Sequence, residues 1–159
     1  MPDELVQLAA AIWRRWRRKD FAGALPLAEQ YCATARERSG PAGWLQFAYG
    51  LNIHGALLFQ LGESGRADAL LTEAMTIFRQ TGNLLHPQGL DALRNLARVT
   101  AALGRYDEAL TLHREAHAIL TMLYGEDDPQ AAASRRDLLE VQQLRDNMIA
   151  PPPPAAGAR

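Results

Sequence analysis

His113 and His117 lie four residues apart in a helical pattern, so they share one face. Two such histidines begin a tetrahedral zinc site, which needs at least a third protein ligand. None falls into place: Glu115 points elsewhere, His54 takes a core-facing position and His86 a corner. Packing is the reading for the pair, and no metal is expected. Cys32 is the only cysteine, which excludes an internal disulfide framework and most cysteine-based metal sites. A catalytic thiol needs a partner histidine, and none is placed beside it. Cys32 therefore reads as a small core or boundary residue, and a lone cysteine fits a reducing compartment. Glu126-Asp127-Asp128 lacks the spacing of a calcium loop. The chain has no glycine-rich phosphate loop, no Gly-x-Ser-x-Gly elbow and no paired carboxylates in a recognisable setting. Neither catalysis nor a cofactor is expected.

A second cluster, Trp13-Arg14-Arg15-Trp16-Arg17-Arg18-Lys19, mixes cations with aromatics, the combination that binds phosphates and stacks bases. It sits inside one helix, however, so its charges spread around the cylinder, and only Arg14, Arg17 and Arg18 share a face. Asp20, Glu29 and Glu37 dilute the local field. The formal net charge of the 159-residue chain is −1, so no whole-molecule field points to nucleic acid. A solvated helix face is the first reading, an acidic protein partner the second, and nucleic acid or membrane the third. Trp13 and Trp16 read as half-buried packing or capping residues, with ligand contact as the alternative.

The elements that position these residues are all helical. Aromatics make up 7% of the residues, and Ala, Leu and Arg are plentiful. Between His86 and Gly125 two apolar patterns of 3.6-residue period flank the turn Gly104-Arg105-Tyr106-Asp107-Glu108-Ala109. The first carries Leu90, Leu93, Leu96, Ala97, Val99 and Leu103; the second Ala109, Leu110, Leu112, Ala116, Ile119 and Leu120. Gly104 closes the first helix because it takes positive φ without a Cβ clash. Small Ala97 and Ala109 let the pair approach, and Tyr106 covers the turn. Helix 1 is expected from about Asp3 to Arg18, and helix 2 from Asp20 to the break at Ser39-Gly40-Pro41. Helix 3 follows from about Ala42 to Leu61 and helix 4 from about Gly65 to Gln80. Helix 7 runs from Pro129, capped by Asp128, to about Asn147. Residues 149–159 hold four consecutive prolines and read as an extended, mobile Pro/Ala-rich tail. No apolar run approaches the ~18 residues of a membrane span. The N-terminal order of acids, an apolar run and then arginines is the reverse of a signal peptide. A soluble, cytoplasmic protein is expected.

The hairpin recurs. Gly62 and Gly104 are 42 residues apart, as are Ala67 and Ala109, Ala74 and Ala116, and Asn95 and Asp137. Lys19 lies 43 residues before Gly62, and Phe21, Ala24 and Gly40 fall in the register of Tyr106, Ala109 and Gly125. This pattern resembles the tetratricopeptide repeat, in the 42-residue variety of kinesin light chains. The matching residues are Asn95-Leu96-Ala97, then Gly104 to Ala109, Ala116, Tyr124 to Pro129, and the corner His86-Pro87. Gly55, Gly62, Ala67 and Ala74 carry the second repeat, where Ser64 replaces the aromatic. The first repeat is degenerate, with Ile12 in place of a small residue and Lys19 in place of glycine; atypical end repeats are what capping of a solenoid requires. The resemblance implies an all-α, right-handed solenoid over residues 1–148: three antiparallel helix pairs at about 5–40, 44–82 and 86–125, and a capping helix at 129–147. It also implies a concave groove that binds protein.

In such solenoids the first helix of each pair lines the groove. Carrying that register over selects Val6, Ala9, Trp13 and Trp16; Tyr49, Asn52, Ala56 and Phe59; Asp91, Arg94, Arg98 and Ala101; and Ala133, Arg136, Glu140 and Gln143. The groove is then aromatic in its N-terminal half and arginine-bearing in its C-terminal half. Tyr49, Asn52, Phe59, Arg94, Arg98 and Arg136 are the expected contacts, with Trp13, Trp16 and Arg17 as a secondary set. Arginine offers a planar fork to carboxylate or phosphate, the plain alternative being that Arg94, Arg98 and Arg136 are solvated or paired with Asp91, Asp137 and Glu140. Asn52 offers a donor and an acceptor to a peptide backbone. The expected partner is a peptide or protein segment with acidic and apolar side chains, bound by a non-catalytic adaptor or scaffold. The alternatives are an accessory or regulatory subunit of an enzyme or transcriptional system, and a self-associating homo-oligomeric scaffold.

Overall fold

The computed structural model describes residues 3–38 and 40–149. Seven helices account for the regular structure of these residues: α1 (Glu4–Arg17), α2 (Phe21–Arg36), α3 (Gly40–Gln60), α4 (Ser64–Gln80), α5 (Pro87–Ala102), α6 (Tyr106–Tyr124) and α7 (Pro129–Ile149). Among them there is no strand. The fold is an all-α repeat solenoid in which each helix packs on the next and α3 packs directly on α5. The expected lead at Met1-Pro2, Ser39 of the first inter-repeat break, and the expected tail from residue 150 onward lie outside the described residues.

Helix starts follow the caps. Asp3 accepts from the Leu5 amide at 2.9 Å, Asp20 from the Gly23 amide at 2.9 Å, and Asp128 from the Gln130 amide at 2.8 Å. Pro87 and Pro129 stand at first helical positions, where a missing N–H costs nothing. α3 begins at Gly40, two residues ahead of the start expected at Ala42, with Pro41 taken into its first turn. α7 runs two residues beyond the expected Asn147, to Ile149. Pro26 sits inside α2 on its exposed side, where it removes the amide that would bond to the Ala22 carbonyl.

Helix stops are built alike in the three pairs. Lys19, Gly62 and Gly104 take φ of 57°, 82° and 77°. In each case the next residue's amide reaches back to a carbonyl of the last turn: Asp20 to Arg15 at 3.0 Å, Glu63 to Leu58 at 2.9 Å, and Arg105 to Thr100 at 3.1 Å. The left-handed residue reverses the chain and satisfies carbonyls that the helix end would leave open.

The core is a ladder of layers. On the second helices of the pairs, Ala24 and Ala28, Ala67 and Ala74, and Ala109 and Ala116 are fully buried, and their size lets the partner helix come close. Ile12, Leu57, Leu58, Leu71, Phe78, Leu93 and Leu110 fill the space between layers; each such side chain contributes roughly 2 kcal/mol on removal from water. α7 closes the stack. Its Ala131 packs with Leu90 and Leu120, and its Val141 with Ala109 and Leu110, beside Tyr106. Ion pairs tie successive layers: Arg38 to Asp3, Arg79 to Glu115 at 2.7 Å, Arg105 to Asp68 at 2.8 Å and Arg145 to Asp107 at 3.2 Å. All are open to solvent, which screens them, so they serve to hold the stacking angle more than to add stability.

Candidate binding groove

The first helices of the pairs, α1, α3 and α5, and the capping helix α7 present one common face. It holds two concavities that meet at Phe59 and Arg98.

The N-terminal concavity, about 160 Å³, is lined by Trp13, Trp16, Tyr49, Asn52, Ala56, Phe59, Asp91, Asn95 and Arg98 among others. An aromatic ladder forms its wall. Phe21 meets Trp16 edge-on at 5.2 Å, Trp16 meets Trp13 at 5.7 Å, and Tyr31 meets Tyr49 at 5.8 Å. The Trp13 indole N–H donates to the Tyr49 hydroxyl at 3.0 Å and links α1 to α3. Trp16 is half-buried, whereas Trp13 keeps 41% of its surface open. Desolvation is the first cause pushing the Tyr31 phenol up to about 12, so that phenol is neutral at physiological pH. Asn52 is buried, and its Oδ1 accepts from Asn95 Nδ2 at 2.9 Å. The acceptor expected to meet a peptide is thus committed within the fold, and the amide donor is the group an occupant would meet.

The C-terminal concavity, about 530 Å³, lies between α5 and α7 over α6. Its lining is Phe59, Arg94, Arg98, Ala101, Ala102, Tyr106, His113, Asp137, Glu140, Val141 and Leu144. The volume falls in the range of ligand pockets. The Arg98 guanidinium rides over the Phe59 ring at 5.7 Å, a contact that uses its face and spares its in-plane donors. Arg94 is half-buried with its Nε unpartnered among the described residues, and its Nη2 stands 3.9 Å from Asp137 Oδ2. That distance is an ion pair without a hydrogen bond. In the N-terminal concavity, the Asp91 carboxyl is raised above its ordinary value by desolvation, with Arg94 pulling the other way. The residue as a whole is nevertheless open to solvent.

Asp137 and Glu140 share the cavity of the two arginines. Arg136 is exposed on α7 and is not among the lining residues; nor is Arg17 on α1. Val6 and Ala9 line a further depression of about 330 Å³ that shares Tyr49 with the N-terminal concavity. The register of first helices misses Tyr106 and His113 because both belong to the second helix of their pair. They reach the cavity where α5 and α7 part over α6. Tyr106 is legible in the sequence as the residue covering the turn, and His113 as a polar residue at a core position. Glu115, which points away from the histidine pair, holds Arg79 of α4 in a two-bond contact. No described helix is long and apolar enough to cross a membrane.

A family model described as "Tetratricopeptide repeat" matches residues 46–121 and again 90–148. No curated protein sequence matches the chain. Among solved structures, a Podosopora anserina protein described as a kinesin light chain with nearly identical TPR-like repeats superposes with a TM-score of 0.81 at 22% identity, over 94% of this chain and 71% of that one. A singly substituted form of the same protein gives 0.79 at 21% identity, over 91% and 68%. BtubC (BKLC) from P. vanneervenii gives 0.75 at 19% identity, over 87% and 54%. At these identities the likeness is one of fold.

Proposed function

Because the chain belongs to the tetratricopeptide repeat family, whose repeats mediate protein–protein interaction, we propose that it is a non-catalytic adaptor holding a peptide or protein segment along the face of α1, α3, α5 and α7. The observation that carries this reading is the junction at Phe59 and Arg98, which joins the two concavities into one channel across four helices. Tyr49, Asn52, Phe59, Arg94 and Arg98 are its contacts, Trp13 and Trp16 its aromatic end, and Arg17 and Arg136 sit outside the channel lining. The occupant carries an apolar side chain for the Trp13–Tyr49–Phe59 wall and an acidic one for Arg94 and Arg98. Asp137 and Glu140 add a preference for a cation beside that acid. The layered core holds these side chains in place before binding, which lowers the ordering cost of association.

Affinity capture with four folded forms tests the proposal: wild type, Phe59→Ala, the double variant Arg94→Glu/Arg98→Glu, and Arg136→Glu. The expected result is a partner held by wild type and by Arg136→Glu, with affinity at least about tenfold weaker in the other two. A partner held equally by all four forms places the interface elsewhere and ends the proposal.

A further inference from the structure

Among the described residues, α7 is a first helix without the second helix of its pair. The repeat register shows what this leaves open. Leu139 stands where α5 has Ala97 and α3 has Gly55, at intervals of 42 residues. Both of those positions are buried, and a Cβ at Gly55 would meet Leu71 of α4 at 2.7 Å. Leu139 is 61% exposed. Arg135 likewise takes the place of buried Leu51 and Leu93, and it is exposed. The surface that a second helix covers in the earlier pairs is therefore bare on α7. It continues along the whole helix: Ala132, Arg135, Leu139, Gln142, Asp146 and Ile149 recur at alternating intervals of three and four, the spacing of a coiled-coil seam. The seam lies on the side of α7 turned away from the groove, whose lining takes Asp137, Glu140 and Leu144.

We propose that this seam pairs with the α7 seam of a second copy of the chain, antiparallel, in a two-fold symmetric dimer. The groove takes no part in it, so the dimer stands or falls independently of the groove reading.

The seam selects a second copy because it is complementary to itself. A two-fold axis between positions 140 and 141 sets Ala132 opposite Ile149, Arg135 opposite Asp146, and Leu139 opposite Gln142, each pair made twice. Small then meets large at the ends, and opposite charges meet one turn further in. The two Leu139 side chains flank the axis and cover one another. A parallel pair in register would instead set Arg135 on Arg135 and Asp146 on Asp146, which like-charge repulsion opposes. Arg135 makes no ion pair among the described residues. Asp146 accepts from Gln142 Nε2 at 3.2 Å and stands 3.2 Å from Arg145 Nη2, yet 53% of its side chain stays open. Arg145 is shared with Asp107 at 3.2 Å, and a carboxylate has room for a second cation. The Arg135–Asp146 pairs lie at the surface, where water and salt screen them, so they set direction and register. Burial of Leu139 and Ile149 supplies the attraction.

The test uses the full chain. Sedimentation velocity over about 5–500 µM covers the range in which an interface of one helix per protomer titrates. Wild type is expected to pass from the mass of one 17.5 kDa chain to twice that mass. Arg135→Asp sets carboxylate against carboxylate at both ends of the seam, and Asp146→Arg sets guanidinium against guanidinium. Each variant alone is therefore expected to associate at least about tenfold more weakly. An equimolar mixture of the two is expected to recover the wild-type association, because the two reversed charges then face one another and the two native ones do the same. Circular dichroism first confirms that each variant is folded. Should one fail to fold, cysteine cross-linking decides in its place. In a Cys32→Ala background, Ala132→Cys chains mixed with Ile149→Cys chains are expected to join by a mixed disulfide on oxidation, and neither form to join to itself. A wild type that stays a single chain throughout overturns the proposal. So does a mixture no more associated than its components, or a disulfide formed within one cysteine form alone.

Discussion

Lys19 occupies a slot that glycine fills in the other pairs, and it does so with φ of 57°. A side chain in the left-handed region costs roughly 1–2 kcal/mol, of which glycine returns part through its greater freedom in the unfolded chain. Lys19→Gly is therefore expected to stabilise the protein by about 0.5–1 kcal/mol, read from a denaturant midpoint; a loss of stability would contradict the shared closure. His113 makes a prediction of the opposite kind. Burial holds its pKa, and that of His54, below the ordinary histidine value. The unfolded chain then takes up protons first, so stability is fully present above about pH 6.5 and declines as pH falls through that value toward the lower folded-state pKa. Unfolding curves between about pH 7.5 and 5.5 are expected to show this decline, and His113→Phe to reduce it. An identical decline in the variant would mean that His113 does not titrate as its burial requires. Arg94 and Arg98 are legible in the sequence because a fixed register places them. The roles of His113 and of the Asn52–Asn95 bond are not, since they depend on which side chains lack or find partners, and no spacing encodes that.

At the scale of elements, a stop or start is legible where one residue type forces it. Glycine at 62 and 104 announces a left-handed closure, while α3 starts two residues ahead of the expected Ala42 because its first turn accepts Pro41. Close approach is a further element-level constraint. A Cβ at Gly89 would sit 2.5 Å from the Asn83 carbonyl oxygen and 2.7 Å from that of Leu84. Both neighbours are backbone in the corner between α4 and α5, so neither can move without shifting the helix entry. Gly89→Ala is expected to cost about 1–3 kcal/mol as overpacking, measured by thermal or denaturant unfolding, and to loosen the α4–α5 corner in amide hydrogen exchange. Unchanged stability would show that α5 tolerates displacement and that the α5 wall of the groove is less fixed than its packing implies. The 42-residue register could not reveal this contact, because the third repeat matches the repeat pattern at its helices and the clash lies in the corner.

For the whole molecule, what matters is that four helices drawn from successive repeats present one continuous channel, aromatic at one end and of mixed charge at the other. The architecture is written in the sequence by recurrence: the same small residues and the same closures return at 42 or 43 residues. The polarity of the channel is legible only in part. Register supplies the arginines and Glu140, and Asp137 joins them through the way α7 lies against α5 and α6. Site-specific photo-crosslinking tests whether a partner lies in this channel. A photoreactive phenylalanine analogue replaces Ala102, exposed on the rim of the larger cavity, or Thr76, exposed on α4, a second helix of its pair. A crosslinked partner is expected from position 102, suppressed by Arg94→Glu/Arg98→Glu, and none from position 76. Crosslinking from position 76 with none from position 102 would contradict it.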